Sequence, residues 1–198
     1  MPEKKISTAV IRRMPKYYKY VNQLLDNGIT RISSSKLAEM MGLTASQVRQ
    51  DFNCFGGFGQ QGYGYNVEFL RDEIAEILGL NAHFSAIIIG AGNLGRAIAS
   101  HMDFQRRGFN LIGIFDAKES CAGQVVRGIP IRHSSGLDEF CREYHPDIAV
   151  LCIPDSQVQK IADQLIRLGI KGFWNFSHYD IAMNYPGIPV ENVHLSDS

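Results

Sequence analysis

The sequence has few cysteines, and they form no recognisable motif. Only four occur in 198 residues, with neither a CxxC pair nor the Cys and His spacing of a zinc site. A disulfide framework or a zinc finger is therefore excluded as the basis of the fold. We expect a reduced, cytoplasmic protein that holds no metal.

Long apolar runs are also lacking. No uncharged apolar run approaches the ~18 residues of a membrane span, and the N-terminal MPEKKISTAVIRR has no apolar core of a secretory signal. We therefore expect no membrane partner. The 45% of hydrophobic residues is ordinary for a folded globular chain.

A net charge is absent too, since 20 Lys or Arg balance 20 Asp or Glu. The charges are unevenly distributed, because residues 1–50 carry nine of the basic residues and only three of the acidic ones. A neutral protein with one basic end suggests that this end binds a polyanion such as nucleic acid. Chance segregation of charge between small segments is the alternative.

The first part of the chain has the periodicity of short helices. Apolar residues over 9–26 predict a first helix, in which Pro15 requires a kink or a later start. Ser34 or Ser35 can cap a helix at LAEMM, and Thr44 can cap the next, ASQVRQDF. Two short helices joined by Gly-Leu-Thr predict a helix-turn-helix.

A glycine- and aromatic-rich segment, FGGFGQQGYGY, follows these helices. We interpret it as a β-hairpin, the wing of a winged helix, with a flexible linker as the alternative. Asn66 can then cap a further helix that ends at Gly79.

From residue 84 onward, strands alternate with helices. The segments FSAIIIG, FNLIGIFD, DIAVLCIP, IKGFWNF and IPVENVHL indicate strands, and the stretches between them indicate helices. This alternation predicts a parallel sheet with helices on both faces.

The first of these strands leads directly into a glycine motif that opens a helix: Gly90-Ala91-Gly92-Asn93-Leu94-Gly95. A GxGxxG motif alone is weak evidence, but here Asp116 also ends the next strand, 21 residues past Gly95. This context predicts a dinucleotide site, in which backbone N–H groups hold a pyrophosphate and Asp116 binds the adenosine ribose. A carboxylate there repels a 2′-phosphate, which favours NAD(H) over NADP(H). A structural glycine turn beside an exposed Asp is the alternative.

The fold class follows from both halves. We predict an α/β protein in which a winged helix-turn-helix DNA-binding domain over residues 1–81 precedes a Rossmann-type, doubly wound parallel sheet over residues 82–198.

The nicotinamide end of the site would lie at the carboxyl ends of later strands. The candidate residues there are Ile153, Pro154, Asn175 and Phe176. The three apolar ones would form a pocket without an acid, which admits the neutral ring of NADH more readily than the cationic ring of NAD⁺. An ordinary place in the core is the alternative for each of them.

The helix ASQVRQDF has a polar face suited to DNA, opposite an apolar face with Val48 and Phe52. Arginine suits guanine edges, glutamine suits adenine edges, and the basic first helix, which includes Arg13, can contact phosphates. A solvated polar face is the alternative. The DNA-binding residues predicted from these two helices are Lys16, Lys19, Ser46, Gln47, Arg49, Gln50 and Asn53.

Together these segments resemble Rex, a family of redox-sensing transcriptional repressors. The resemblance covers essentially the whole chain and rests on SS-x-x-LA, QVRxDxxxFGxFGxxGxGY and GAGNLG. It implies a homodimer that binds a palindromic operator in double-stranded DNA and releases it when NADH binds. It also implies that Arg49 and Gln50 enter the major groove and that the Gln60-Gln61 turn approaches the minor groove. The positions implied for the cofactor are Gly90, Gly92, Gly95 and Asp116.

Some positions depart from the family pattern. Gln50 and Gln61 stand where many members have Lys and Arg, and His101 stands where a tyrosine is common. Lys19 and His194 replace an Arg and an Asp that pair between domains in some members. The resemblance also implies a C-terminal helix after VENVHLSDS that swaps onto the partner subunit, and we expect this helix to be truncated or absent here.

An NAD-dependent oxidoreductase with an N-terminal helical appendage is the alternative function. Such an enzyme needs an acid–base group near the nicotinamide, for which His101 and His178 are the candidates. About 115 residues follow Phe84, and the cofactor fold uses nearly all of them, which leaves no substrate domain. We therefore expect a repressor that senses the ratio of NADH to NAD⁺, and not an enzyme.

Overall fold

The computed structural model describes residues 6–56 and 63–193, and the chain divides into two compact units, Met1–Asn81 and Ala82–Ser198. Helices dominate the first unit, and one short pair of strands accompanies them. The helices are α1 (Thr8–Asp26), α2 (Ser34–Met41), α3 (Ala45–Asn53) and α4 (Val67–Ile77), and the strands are β1 (Arg31–Ile32) and β2 (Tyr65–Asn66).

The core of the first unit takes one apolar face from each helix. Residues three or four positions apart on α1 are buried together, as the helical period requires. The largest fully buried side chains of this core are Met14, Tyr17, Leu37, Phe52, Leu70 and Ile74. This packing fixes α2 and α3 as the predicted helix-turn-helix, with Gly42 in the left-handed conformation between them (φ 68°).

The predicted first helix over 9–26 is confirmed without the later start considered for Pro15, whereas the predicted cap of α2 was wrong. α1 begins before Pro15 and continues through it. Proline has no N–H, so the carbonyl of Ile11 loses its helical hydrogen bond. Both residues lie on the exposed side of the helix, where water can bond this carbonyl. The cap of α2 is neither Ser34 nor Ser35 but Ser33, whose Oγ accepts a hydrogen bond from Lys36 N at 3.1 Å. Ser33, Ser34 and Ser35 have the same capping chemistry. Ser33 is the cap because β1 ends at Ile32 and the helix begins two residues later.

The predicted caps of α3 and α4 are confirmed. Thr44 Oγ1 accepts from Gln47 N at 3.1 Å, and Asn66 Oδ1 accepts from Phe69 N at 2.9 Å. The strand β2 pairs antiparallel with β1. Residues 57–62, which include the predicted wing tip at Gln60 and Gln61, lie outside the described residues.

The second unit is a seven-stranded sheet with the order β5-β6-β4-β3-β7-β8-β9. All pairs are parallel except β5 with β6. The strands are β3 (Phe84–Ile89), β4 (Phe109–Asp116), β5 (Val125–Val126), β6 (Ile129–His133), β7 (Ile148–Leu151), β8 (Gly172–Asn175) and β9 (Val190–Asn192). The helices are α5 (Asn93–His101), α6 (Leu137–Tyr144), α7 (Asp155–Arg167) and α8 (Ile181–Asn184).

The hairpin of β5 and β6 was not predicted. Arg127 and Gly128 form its two-residue turn, and both have positive φ (48° and 82°). An arginine at such a position gives no turn signal in the sequence, and β5 is only two residues long.

The predicted helices on both faces of the sheet are confirmed. Along β3, Ile87 and Ile89 pack into the cluster that contains side chains of α6 and α7. Ala86 and Ile88 pack into the opposite cluster with side chains of α5. The chain runs outward from β3 through β4 to β6 and returns to β7 on the other side of β3. The carboxyl ends of β3 and β7 therefore flank a topological switch point, where open α/β sheets bind ligands.

Candidate functional site

The glycine motif lies at this switch point, and two of its glycines are required by space. Gly90 has a φ of 99°, and a Cβ there would lie 2.4 Å from the carbonyl oxygen of Cys152. A Cβ on Gly95 would lie 1.9 Å from the carbonyl oxygen of Gly90, so that only glycine lets α5 pack this closely on the loop. A Cβ on Gly92 would meet nothing within 4 Å. The space in front of Gly92 is therefore open to a ligand.

The start of α5 suits an anion. Gly92 is the N-cap and provides no side-chain acceptor for the N–H groups of the first turn. Uncapped N–H groups and the positive end of the helix dipole together attract phosphate groups. Asn93 is exposed and Leu94 half-buried at this end of the helix. Both observations fit the pyrophosphate of a dinucleotide.

Ala91, in the middle of the loop, is held from both sides. Its N–H donates to Oδ2 of Asp116 at 2.6 Å, and its carbonyl oxygen accepts from Nε of Arg96 at 2.7 Å. Oδ1 of Asp116 accepts from Lys118 N at 2.8 Å. Asp116 thus positions the loop, and only its remaining lone pairs can accept bonds from a ribose.

Arg96 contacts the glycine loop but was not among the residues predicted for it from the sequence. A basic residue in the first turn of a helix is unfavourable next to the positive end of the dipole. That conflict was the signal that could have found it.

The predicted contact of Asn175 with a cofactor needs correction, because this side chain is fully buried and used internally. Nδ2 donates to the carbonyl oxygen of Tyr179 at 2.8 Å and to Oδ1 of Asn192 at 2.9 Å. Oδ1 accepts from the hydroxyl of Ser177 at 2.7 Å. Asn175 therefore holds together the loop that follows β8.

The predicted apolar pocket also needs correction. Ile153 packs against the cluster that includes α6 and α7, whereas Phe176 packs against the opposite cluster, beside Trp174. Pro154 is exposed at the start of α7. The region is not without an acid either, since Asp155 follows directly and its Oδ1 accepts from His178 N at 3.0 Å.

The cysteine nearest to the glycine loop is not a reactive thiol. The carbonyl of Cys152 contacts Gly90, and burial raises the pKa of the Cys152 thiol to about 12. Burial also raises the pKa of Cys141 to about 11. Both stay protonated at neutral pH, and thiolates are the reactive form.

The helix α3 presents the predicted polar face to solvent. Ser46, Arg49, Gln50 and Asn53 are all exposed, while Val48 and Phe52 are buried. Nη1 of Arg49 donates to the hydroxyl of Ser34 on α2 at 3.0 Å. This single bond is exposed, so exchanging it for a contact with a base requires little energy.

A buried carboxylate ties α3 to α1. Arg13 donates to both oxygens of Asp51 at 2.7 Å, and Gln47 Nε2 and the Tyr17 hydroxyl each donate at 2.9 Å. Burial would raise the pKa of Asp51, but the hydrogen bonds from Arg13, Gln47 and Tyr17 outweigh it and lower that pKa. The predicted DNA contacts of Arg13 and Gln47 therefore need correction, because both side chains serve this internal network.

The lysines of α1 remain exposed. Nζ of Lys16 donates to the carbonyl oxygen of Met41 at 2.9 Å, which caps the end of α2. Lys19 is exposed on the same helix. Both cations lie on the helix whose core face packs against the helix-turn-helix.

The two histidines considered for acid–base chemistry are both exposed. His101 ends α5 in an exposed position, and His178 is exposed in the loop after β8. In residues 6–56 and 63–193, no cluster of three or more His, Cys, Asp or Glu is arranged to hold a metal ion. Within the same residues, no helix combines the length and apolarity that a membrane crossing needs.

A helix-turn-helix unit followed by a Rossmann-type unit with an open glycine loop defines a class of protein, the DNA-binding regulators with a nucleotide-binding domain. The comparisons with known proteins specify the class further. Residues 5–53 match the family model for a putative DNA-binding protein N-terminus, and residues 81–179 match the model for a CoA binding domain.

The chain belongs to the Rex family of redox-sensing transcriptional repressors. It is 50% identical over 196 residues to the repressor Rex of Caldicellulosiruptor bescii, covering 99% of this chain and 90% of that protein. It is 49% identical over 195 residues to Rex of Clostridioides difficile, covering 98% and 92%. These relatives are named as repressors and not as enzymes.

Solved structures of RSP, a Rex-family repressor, have the same fold. The complex of RSP with β-NAD⁺ and operator DNA is 50% identical, with a TM-score of 0.92 over 97% of this chain and 88% of that chain. The complex of RSP with β-NADH is 46% identical, with a TM-score of 0.88 over 98% and 90%. The predicted winged-helix and Rossmann-type fold and the predicted family are thereby confirmed.

Proposed function

We propose that this protein binds operator DNA through α3 and releases it when NADH binds at the glycine loop. The observation that carries this proposal is the presence, in one chain, of an exposed Arg49 and Gln50 on α3 and of an open, uncapped glycine loop at a switch point. The structures of RSP in complex with β-NADH, and with β-NAD⁺ and operator DNA, support this proposal.

The cofactor would lie along the loop, with its pyrophosphate at the start of α5 and its adenosine ribose at Asp116. The ring would lie at the ends of β7 and β8. The residues that we propose for this site are Gly90, Ala91, Gly92, Asn93, Leu94, Gly95, Asp116, Ile153, Pro154 and Phe176.

The DNA would meet the exposed face of α3, and the lysines of α1 would contact phosphates without reading sequence. Arg49 suits the guanine edge, and Gln50 suits the adenine edge. The residues that we propose for direct contact are Lys16, Lys19, Ser46, Arg49, Gln50, Asn53, Gln60 and Gln61. Gln47 would act through Asp51.

The redox sense would come from the charge of the nicotinamide ring, because NADH and NAD⁺ share every other group. The ring is cationic when oxidised and neutral when reduced. Ile153 and Phe176 pack in opposite clusters, but both are half-buried near the carboxyl ends of β7 and β8, and together with the exposed Pro154 they would give the ring apolar contacts, which disfavour an unpaired cation. Asp155 would moderate this preference, since a carboxylate favours the cationic ring.

We also propose a homodimer that acts in the cytoplasm, where both operator DNA and NADH are available. One helix such as α3 contacts only a few base pairs, so that two copies on a palindromic site are needed for specificity. The resemblance to Rex implies a palindromic operator, and a homodimer has the two-fold symmetry that matches such a site.

The decisive measurement is DNA binding by the purified protein over a titrated ratio of NADH to NAD⁺, by fluorescence anisotropy with a labelled operator. We expect binding at low ratios and release as the ratio rises. Operator binding that stays constant across the titration would contradict the proposal. Turnover of hydroxy acids or aldehydes with NAD⁺ would instead favour the oxidoreductase.

A further inference from the structure

Arg96 is placed at the glycine loop without an acidic partner. Its Nε lies 2.7 Å from the carbonyl oxygen of Ala91, and the side chain is half-buried. In the described part of the chain, no Asp or Glu forms an ion pair with its guanidinium. The Nε bond leaves the four N–H donors of the two terminal nitrogens for other acceptors.

This position is costly unless an anion is nearby. Arg96 lies in the first turn of α5, where the helix dipole already provides partial positive charge and disfavours a further cation. A half-buried arginine also loses part of its hydration. Neither cost is offset by a carboxylate of the described residues, so a ligand anion is the natural partner.

The loop also has to balance the charge of Asp116. Its carboxylate bonds the N–H of Ala91, while Arg96 bonds the carbonyl of the same residue. A pyrophosphate bound at this loop would be repelled by Asp116. Arg96, on the other side of Ala91, would offset that repulsion.

We propose that Arg96 is a further cofactor-binding residue, whose terminal guanidinium nitrogens donate hydrogen bonds to a phosphate oxygen of the NAD(H) pyrophosphate. This inference rests on the proposed function of the glycine loop. Charge-assisted pairing of arginine with phosphate is strong and directional. Because the pyrophosphate is common to both redox forms, Arg96 sets the absolute affinity for the dinucleotide and leaves the preference between NADH and NAD⁺ unchanged.

The test compares Arg96→Gln and Arg96→Lys with the wild type and a matched control. Arg107→Gln is the control, because Arg107 is exposed and lies two residues before β4, at the amino end of the sheet and opposite the loop. Affinities for NADH, NAD⁺ and ADP-ribose are measured by calorimetry without DNA at two salt concentrations. Circular dichroism and thermal unfolding verify the fold of each variant.

We expect Arg96→Gln to lower the affinity for all three ligands by the same factor, about ten- to a hundredfold. This is the effect of losing a hydrogen bond to a charged group. Arg96→Lys should weaken them less, because it keeps the charge but cannot bond both Ala91 and a phosphate. The affinity of Arg96→Gln should also depend less on salt, since one ionic contact is gone. Arg107→Gln should bind like the wild type.

Affinities of Arg96→Gln within twofold of the wild type would overturn the inference. So would a uniform loss with unchanged salt dependence, because that pattern indicates a distorted loop and not a lost ionic contact. In both cases the wild type still binds NADH, and the proposed function stands. A wild type that binds none of the three ligands would overturn the proposed function together with this inference.

Discussion

At the residue scale, several side chains have two tasks, one inside the protein and one proposed toward a ligand. Asp116 bonds the backbone of the loop and faces the proposed ribose site, and Arg49 bonds Ser34 while exposed on α3. The exposed bond of Arg49 can be exchanged for a contact with a base, whereas the internal bonds of Asp116 hold its side chain in place before a ligand arrives. Pre-organisation of this kind lowers the entropy lost on binding.

Replacing Asp116 by Ser should reduce the discrimination against NADPH. The carboxylate repels a 2′-phosphate, and like charges brought together cost several kcal/mol. Affinity for NADH should also fall, because Asp116→Ser removes an acceptor from the N–H of Ala91. The measurement is the ratio of the NADH and NADPH dissociation constants by calorimetry. An unchanged ratio would place the ribose elsewhere.

Replacing Arg49 by Ala should weaken operator binding by about 1–3 kcal/mol and relax base preference, as for the loss of an arginine that contacts a base. NADH affinity without DNA should not change, because Arg49 belongs to the other unit. Anisotropy with the operator and with single-base variants measures both effects. Arg107→Ala is the matched control and should leave operator binding intact. A variant that binds like the wild type would show that α3 does not read the operator.

At the scale of elements, the sequence predicted most helices and strands because their signals are local. Apolar periodicity and capping residues defined α3 and α4, and the GxGxxG context placed the turn between β3 and α5. Contacts over long sequence separations were not predictable. Asp51 lies 38 residues from Arg13, and nothing local marks their pairing. The amide of Asn175 likewise resembles a ligand-binding group in the sequence, but its internal acceptors come from a loop and a strand that fold onto it.

The Asp51 network should make the first unit sensitive to acid. The pKa of Asp51 is lowered in the folded state, so the ionised carboxylate stabilises the fold at pH values above the ordinary aspartate pKa of about 3.9. That stabilisation is lost as the pH falls through the lower, folded-state value. We therefore expect stability to decline with acidity in this range, as followed by urea unfolding between pH 2 and pH 6.

Asp51→Asn removes the charge from the network and should lack this component of the pH dependence. It should also cost about 1.5–3 kcal/mol at neutral pH, because the hydrogen bonds from Arg13 lose their charged acceptor. Glu39→Gln is the control, since the ion pair of Glu39 with Lys36 is exposed. Equal stabilities of Asp51→Asn and Glu39→Gln would show that the network is not needed for the fold.

At the scale of the whole molecule, the proposal requires two copies of α3 to meet one face of the DNA. We expect a two-fold dimer whose α3 helices enter successive major grooves, roughly 34–36 Å apart or a multiple of that distance. Sedimentation with and without operator, and operators with altered half-site spacing, measure this. A monomer that binds single half-sites with full affinity would contradict the expectation.

NADH binding and operator binding must be coupled if NADH releases the DNA. A ligand shifts an equilibrium only if it binds two states with different affinity, so NADH can release DNA only by favouring a state that binds DNA poorly. Such couplings typically amount to ~1–3 kcal/mol. Thermodynamic linkage then requires that operator DNA weaken NADH binding by the same factor by which NADH weakens operator binding.

The reciprocal effect is measured as NADH affinity with and without saturating operator. We expect a loss of roughly five- to 150-fold when DNA is present. A scrambled duplex of equal length is the control and should leave NADH affinity almost unchanged at moderate salt, because nonspecific DNA binds weakly. If saturating operator leaves NADH affinity unchanged, the two sites are not coupled, and the glycine loop has some role other than release of DNA.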